Sequence, residues 1–187
     1  MKRYIIIAGV NGAGKSTLYQ TGSLIGEMRD RINLDEIVRS FGDWRNPEDV
    51  GKAGKIAIKM IEDYFAEGVS FNQETTLCGK SIVKNIIRAK DLGYSVELYY
   101  IGLDSPEIAK ERVRYRVAAG GHGIPEEDIE RRYYESLKQL VKVIPLCNTV
   151  LLFDNSKVFE LIAEYRNGAC YMEVEDAPKW YKEVMKK

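Results

Sequence analysis

The chain contains near its N-terminus the segment Gly9-Val10-Asn11-Gly12-Ala13-Gly14-Lys15-Ser16, which has the G-x-x-x-x-G-K-S spacing of a phosphate-binding loop. The segment follows the apolar run Tyr4–Ala8, so we expect the loop where a first strand ends. Glycines allow successive backbone N–H groups to turn towards a polyphosphate, and the Lys15 ammonium reaches its β and γ oxygens. The Ser16 hydroxyl is then a candidate ligand for Mg²⁺.

This loop and the helical turn that follows it supply the expected contacts to ATP. A helix that begins near Lys15 points the positive end of its dipole at the phosphates, which adds to the charge of the lysine. The expected nucleotide-binding residues here are Gly9, Asn11, Gly12, Ala13, Gly14, Lys15, Ser16 and Thr17. The pattern indicates a nucleoside triphosphate but does not specify what the triphosphate is used for.

Asp35 follows the second predicted strand, at the sheet edge that faces the ligand crevice in open α/β folds. A carboxylate near the γ-phosphate could accept the proton of an acceptor hydroxyl as it attacks, or orient that hydroxyl. Aspartate also favours the N-cap position of a helix. Position alone does not decide between these roles.

Glu74 comes just after the third predicted strand and is followed by Thr75 and Thr76. Glu74 could hold Mg²⁺ through water or hydrogen-bond an acceptor, while the threonine hydroxyls contact polar groups of that acceptor. The sequence has no Asn-Lys-x-Asp motif for guanine. That absence argues against a GTPase switch.

Five arginines lie on two helical segments on either side of a Gly-Gly-His-Gly turn: Arg112, Arg114, Arg116, Arg131 and Arg132. Arg112 and Arg116 are four residues apart and therefore share a helix face. A closing lid could bring such charges over a migrating phosphoryl group and exclude water. The alternative is a solvated helix pair whose glutamates neutralise the arginines; Arg114 and Arg131 are the expected outward-facing members.

Two further polar residues have an open interpretation. His122 is the only histidine and lies at the tip of the arginine-rich hairpin; we expect it to cap a backbone group and not to act as the base. Asn155 follows the fifth predicted strand, where small kinases often seat adenine. It could contact the base edge or cap a following helix.

Strands and helices alternate along the chain, which predicts an α/β fold with a doubly wound, parallel, five-stranded sheet of the phosphate-loop kinase type. The predicted strands are Tyr4–Ala8, Arg31–Leu34, Val69–Gln73, Ser95–Ile101 and Thr149–Phe153. The predicted helices are Pro47–Glu67, Ser81–Leu92, Ser105–Ala119 and Pro125–Val143. We expect one domain with a helical lid at about 105–135 and a terminal strand and helix within 168–187.

The composition excludes several classes of protein. The 28 basic residues balance the 28 acidic ones, so no net field favours nucleic acid or an anionic membrane. The N-terminal apolar run is too short for a signal peptide or a membrane span, and we expect a cytoplasmic protein. Cys78, Cys147 and Cys170 lack metal-ligand spacing and are expected to be buried thiols.

The ordered motifs resemble those of the zeta toxin family of phosphate-loop kinases in its short form. They are the loop itself, Asn33-Leu34-Asp35, Glu74-Thr75-Thr76, and the run from Arg112 to Pro125 followed by Arg131-Arg132-Tyr133. The resemblance implies the strand order 2-3-1-4-5. It also implies that ATP phosphorylates a sugar hydroxyl of a UDP-activated amino sugar, typically UDP-N-acetylglucosamine.

The same resemblance assigns roles to particular residues. It implies that Asp35 is the base, that Glu74 and Thr76 contact the acceptor, and that Arg116 and Arg132 stabilise the transferred phosphate. The adjacent Arg131 is an alternative match to Arg132. Longer members carry additional helices that bind an antitoxin. A chain of 187 residues has little room for them, which makes toxicity and an antitoxin partner doubtful.

Two alternatives remain open from the sequence. One is a kinase of a different small acceptor, such as a nucleoside or an antibiotic, because the residues between Leu77 and Ile87 cannot be matched to a ligand. The other is a non-catalytic regulatory protein whose lid closes on ATP to recruit a partner.

Overall fold

The computed structural model of the chain, which describes residues 1–20 and 30–185, has one central sheet with seven strands in that part of the chain. In chain order they are β1 (Arg3–Ala8), β2 (Arg31–Ile32), β3 (Phe71–Thr75), β4 (Ser95–Gly102), β5 (Thr149–Asp154), β6 (Glu160–Arg166) and β7 (Ala169–Glu173). Across the sheet the order is β2-β3-β1-β4-β5-β6-β7. The first five strands are parallel and have the expected 2-3-1-4-5 order, whereas β6 and β7 are antiparallel.

Seven α-helices lie in the described residues. They are α1 (Lys15–Gln20), α2 (Leu34–Phe41), α3 (Pro47–Glu67), α4 (Ser81–Asp91), α5 (Pro106–Ala118), α6 (Glu126–Val143) and α7 (Lys179–Met185). The four helices predicted from apolar periodicity are all present, within one or two residues of their expected ends. None of the described helices is long and apolar enough to cross a membrane.

The prediction of five strands is wrong, because the chain continues the sheet after β5. The segment expected to be helical after Asn155 forms β6 instead, with Ile162, Ala163 and Tyr165 buried. Asn167 and Gly168 connect β6 to β7 and have φ angles of 48° and 81°, as a two-residue hairpin turn of the Asn-Gly type requires. The expected terminal strand corresponds to β7, and the expected terminal helix to α7.

The core lies on both faces of the sheet. In β1, Tyr4, Ile6 and Ala8 pack into the cluster on one face, and Ile5 and Ile7 pack into the cluster on the other. Burial on both faces explains why β1 is a continuous apolar run.

The three cysteines do not share one environment. Cys147 is buried, and burial raises the pKa of its thiol to about 12. Cys78 is half-buried, while Cys170 is exposed on the edge strand β7. The expectation of buried thiols is therefore wrong for Cys170, because β7 borders the sheet and packs only on one side against β6.

Candidate active site

The phosphate-binding loop connects β1 to α1 and packs tightly against its neighbours. Gly12 and Gly14 have φ angles of 84° and 99°, which favour glycine. A Cβ on Gly12 would lie 2.7 Å from the carbonyl oxygen of Ala109 in α5, so the loop also needs glycine for space. The side chain of Asn155 secures the loop from the end of β5, since its Nδ2 donates to the Ala13 carbonyl over 2.8 Å.

Lys15 is buried inside this loop. Its Nζ donates to the carbonyls of Gly9 (2.9 Å) and Val10 (3.3 Å) and lies 3.9 Å from Glu74 Oε1. Burial lowers the pKa of the Lys15 ammonium, and the negative charges of Glu74 and Asp35 oppose that shift. The cation is therefore held where the loop would surround an anion.

Glu74 lies near the end of β3 and is held on both carboxylate oxygens. Its Oε2 accepts from Asn33 Nδ2 (2.8 Å) and from Arg31 Nη2 (3.0 Å), and its Oε1 faces Lys15. The guanidinium of Arg31 also pairs with Glu36 at 2.9 Å and stacks over the ring of Tyr19 at 3.8 Å. Glu74 thus lies among donors from β2, from the N-cap of α2 and from the start of α1.

A buried polar chain supports the Arg31 contact. The Tyr19 hydroxyl donates to Asn72 Oδ1 over 2.7 Å, and Asn72, which is fully buried, donates through Nδ2 to the carbonyl of Asp30. Arg31, Tyr19 and Asn72 are absent from the residues expected in the site, since none belongs to a recognisable motif. The pairing of β2 with β3, and the contacts of Tyr19 of α1 with both strands, bring them together.

Asp35 lies in the first turn of α2, but it is not the N-cap. Asn33 Oδ1 accepts from the backbone N–H groups of Asp35 (2.9 Å) and Glu36 (3.4 Å), which makes Asn33 the cap. The capping interpretation of Asp35 is therefore wrong. Because Asn33 already starts the helix, β2 is also shorter than the predicted strand Arg31–Leu34.

A cleft of about 540 Å³ contains both carboxylates. Its wall includes Asn11 and Lys15 of the loop, Asp35, Glu74, Thr76 and Arg132. Thr75 also lines it, although its hydroxyl accepts a hydrogen bond from the N–H of Leu77. On the donor side, the predicted residues that line this cleft are Asn11, Lys15 and Arg132, and on the acceptor side they are Asp35, Glu74, Thr75 and Thr76.

The helical pair α5 and α6, with the connecting residues 119–125, is the segment predicted to act as a lid and is called the lid below. Its arginines fall into two groups. Arg114 pairs with Glu126 at 2.8 Å and Arg131 with Asp128 at 2.7 Å, and both arginine side chains are more than half exposed. The second group, which consists of Arg112, Arg116 and Arg132, faces inwards. Arg132 Nη1 donates to Asn11 Oδ1 over 3.2 Å, so the lid contacts the phosphate-binding loop directly.

Arg116 and Arg112 complete the inward group. Among the described residues, Nε and Nη2 of Arg116 are buried without a hydrogen-bond partner, which is costly unless an anion occupies the site. Arg112 Nη2 donates to the carbonyl of Asn155 over 2.7 Å. Since β6 follows Asn155, the expectation that Asn155 caps a helix is wrong.

His122 extends from the lid towards α2. Its Nε2 lies 3.6 Å from Asp35 Oδ1, and its ring meets Trp44 edge-on with 4.7 Å between centroids. Burial lowers the pKa of His122, and the charges of Arg116, Arg39 and Arg132 lower it further, while Asp35 raises it. The imidazole is therefore in contact with the site, which its position at a glycine-rich turn did not indicate.

The part of the chain that the structure describes contains no group of three or more His, Cys, Asp or Glu residues arranged to hold a metal ion. Glu74 lines the cleft with a carboxylate, and Ser16 lies at the start of α1, directly after Lys15. A Mg²⁺ ion here would need phosphate oxygens and water to complete its coordination.

The comparison with known protein families agrees with these motifs. The zeta toxin family profile matches residues 1–164. The chain belongs to the zeta toxin family. An uncharacterized protein of Haemophilus influenzae is 35% identical to this family member over 131 residues, which cover 69% of the chain and 91% of that relative.

Solved structures show the same fold at low identity. A chain of the AvrRxo1-ORF1:-ORF2 complex with ATP matches with a TM-score of 0.72 at 16% identity, over 98% of this zeta toxin family member. This chain spans only 63% of the length of that one. A chain of the PezAT toxin-antitoxin system of Streptococcus pneumoniae matches with a TM-score of 0.64 at 17% identity, over 100% of this chain and 77% of that one. The chain therefore shares its α/β fold with both solved structures.

Proposed function

We propose that this zeta toxin family member transfers the γ-phosphoryl group of ATP to a hydroxyl of a small acceptor. The observation that carries the proposal is the single cleft of about 540 Å³ that Lys15, Asp35, Glu74 and Arg132 line together. Phosphoryl transfer depends mainly on positioning and on positive charge around the migrating group. A site with a lysine, inward arginines and an accessible carboxylate supplies these requirements.

The donor side of the proposal rests on the loop and on Arg116. The unpartnered Nε and Nη2 of Arg116 fit an anionic phosphate, and a structural relative solved with ATP supports that nucleotide. The proposed ATP contacts are Gly9, Asn11, Gly12, Ala13, Gly14, Lys15, Ser16, Thr17, Arg112 and Asn155. Ser16, and Glu74 through water, are the proposed ligands of Mg²⁺, which would neutralise charge on the phosphates.

On the acceptor side, the proposed base is Asp35. The acceptor oxygen forms a bond to the γ-phosphorus, the bond from that phosphorus to the bridging oxygen breaks, ADP leaves, and the acceptor proton passes to the Asp35 carboxylate. Glu74, Thr75 and Thr76 are the proposed acceptor contacts. Arg116 and Arg132 would stabilise charge on the transferred group.

For the acceptor we propose a UDP-activated amino sugar such as UDP-N-acetylglucosamine. Membership of the zeta toxin family supports this substrate class, and the polar wall of the cleft suits a molecule with many hydroxyl and amide groups. A nucleoside or an antibiotic would use the same donor machinery and is tested in the same experiment.

The test is to incubate the purified protein with ATP and Mg²⁺ and a panel of UDP-sugars, nucleosides and antibiotics, and to search by mass spectrometry for the addition of one phosphate. We expect a phosphorylated UDP-amino sugar, and no product from the Asp35→Asn variant purified in the same way. Phosphorylation of another panel member alone would overturn the acceptor class. ATP binding with no product from any acceptor would overturn the kinase proposal.

A protein partner is also part of the proposal. The two structural relatives described above come from two-component assemblies, one of them a toxin-antitoxin system. Co-purification of the tagged protein from its native host, followed by mass spectrometry, would test for an antitoxin-like partner.

A further inference from the structure

The tip of the lid, residues 120–125, docks on the segment 42–46 that connects α2 to α3. Trp44 meets the ring of His122 edge-on, and Gly123 is buried beneath the same indole. A Cβ on Gly123 would lie 2.5 Å from Val117 Cγ2 and 3.4 Å from Trp44 Cη2. The tip therefore folds tightly against Val117 of α5 and at the same time lies in contact with Trp44.

On its other side, the same imidazole faces the proposed base. His122 Nε2 is 3.6 Å from Asp35 Oδ1, and the two side chains are 15% and 36% exposed. This separation is longer than a hydrogen bond, but such contacts in unliganded sites often shorten in the reactive complex. The lid thus places an ionisable side chain, His122, beside the carboxylate of Asp35.

The charges around His122 favour a neutral ring. Burial comes first in lowering its pKa below the ordinary value, and cations from three elements act in the same direction: Arg116 of α5, Arg132 of α6 and Arg39 of α2. Asp35 opposes them, and Asp43 lies on the facing segment next to Arg45, which stacks on Trp44. A neutral imidazole can hold the carboxylate by a hydrogen bond without reducing its basicity as a fixed cation would.

We propose that His122 is a positioning residue: it holds the carboxylate of Asp35 in place for the acceptor hydroxyl when the tip of the lid docks against Trp44. This inference rests on the proposed function, because it assigns Asp35 as the base. Docking of the lid and alignment of the base then become one event. An acceptor bound under an open lid would not meet a correctly oriented carboxylate.

The kinetic test compares His122→Ala and His122→Gln with the exposed lid variant Arg114→Gln as a matched control. Loss of the contact should lower kcat about 10-fold to 100-fold with little change in the KM for ATP, because misplacement of a reacting group by about 1 Å has effects of that size. Glutamine can still donate a hydrogen bond to Asp35 and should recover part of the loss. Unchanged kcat in His122→Ala, with an inactive Asp35→Asn variant, would overturn this inference and leave the proposed function intact.

A second readout needs no turnover. Trp44 is one of two tryptophans, and Trp180, the other, is buried in the core, so emission changes on addition of a non-hydrolysable ATP analogue should come from Trp44. Burial of His122 in the docked lid lowers its pKa, so docking should release protons. Docking of the lid should therefore weaken as the pH falls below about 6.5. We expect this pH dependence to disappear in His122→Gln and the signal itself to disappear in Trp44→Phe.

The two readouts separate the possible failures. If the wild-type protein phosphorylates no acceptor, the proposed function fails, while the emission titration still tests docking at His122. If the titration is the same in wild type and His122→Gln, the inference is overturned. If His122→Gln is as inactive as Asp35→Asn and the rate falls with protonation of the imidazole, His122 is itself the base and the positioning role is overturned.

Discussion

The two carboxylates of the cleft have opposite surroundings. Glu74 is held by Asn33 and Arg31 on one oxygen and faces Lys15 with the other, and its side chain is only 13% exposed. Asp35 is 36% exposed, and its ionisable neighbour, His122, is 3.6 Å away on the lid. A carboxylate that is paired on both oxygens suits the binding of a ligand or a metal-bound water. A carboxylate with free lone pairs suits proton transfer, because proton transfer requires that the carboxylate oxygen be accessible to the acceptor.

Asp35→Asn is the variant expected to have the largest effect, and it tests the contrast between Asp35 and Glu74 directly. The amide cannot take up a proton, so we expect kcat to fall about 10²-fold to 10⁴-fold. Because Asp35 does not cap α2, the affinity for ATP and the stability should change little. Steady-state kinetics and isothermal titration with an ATP analogue measure the two effects. A wild-type rate in this variant would remove Asp35 as the base.

Glu74→Gln should affect both stability and binding. Loss of the charge leaves Arg31 and Lys15 without their shared partner, and an amide N–H would face the donors that now contact Oε2. We expect the free energy of unfolding to fall by about 1 to 3 kcal/mol, together with a higher KM for the acceptor. Urea denaturation measures the first effect, and initial rates at saturating ATP measure the second. If Glu74→Gln matched Asp35→Asn in lowering kcat alone, the division between holding and proton transfer would be wrong.

Arg31→Lys should also lower the free energy of unfolding and raise the KM for the acceptor, but by less than Glu74→Gln. The planar guanidinium of Arg31 contacts Glu74 and Glu36 at once and stacks on Tyr19, and an ammonium group cannot do all three. We expect a loss of about 1 kcal/mol in the free energy of unfolding and a modest rise in the acceptor KM. Addition of the Arg31 and Glu74 effects in the double variant, without coupling, would show that Arg31 does not act through Glu74.

The smallest effect is expected for Arg114→Gln. Arg114 pairs with Glu126 on the outside of the lid, where both side chains are more than half exposed. Such pairs contribute little, so the free energy of unfolding should change by less than about 0.5 kcal/mol and turnover should remain normal. A clear loss of activity would indicate that the outer face of the lid takes part in catalysis or in partner binding.

Much of the architecture follows from local patterns. The helix Pro47–Glu67 was predictable because Asn46, Pro47 and Gly68 carry the cap and stop signals and the apolar period is regular. The β6 strand was not, because it is short and irregular: Ile162 and Ala163 are both buried, and the register shifts between Glu164 and Tyr165, which breaks the alternation of a strand. The Asn167-Gly168 turn was the one local signal for that hairpin.

The residues of the candidate site also fall into those that a sequence pattern predicts and those that it does not. The phosphate-binding loop, Asp35, Glu74 and the lid arginines could be identified from residue type and spacing, because each motif is continuous along the chain. Arg31 and Tyr19 could not, because their roles come from β2 lying beside β3 and from α1 lying over both. The choice of Arg132 over Arg131 likewise depends on which face of α6 turns towards Asn11.

The sequence by itself determined the donor end of this protein: eight consecutive residues encode a loop whose backbone turns follow from its own glycines. The tertiary structure decided which carboxylate is held and which is free, since the neighbours of Glu74 and Asp35 come from separate strands, helices and the lid. It also brought His122 to within 3.6 Å of Asp35 across 87 residues of sequence. Contacts between distant segments arise from packing, which no short pattern records.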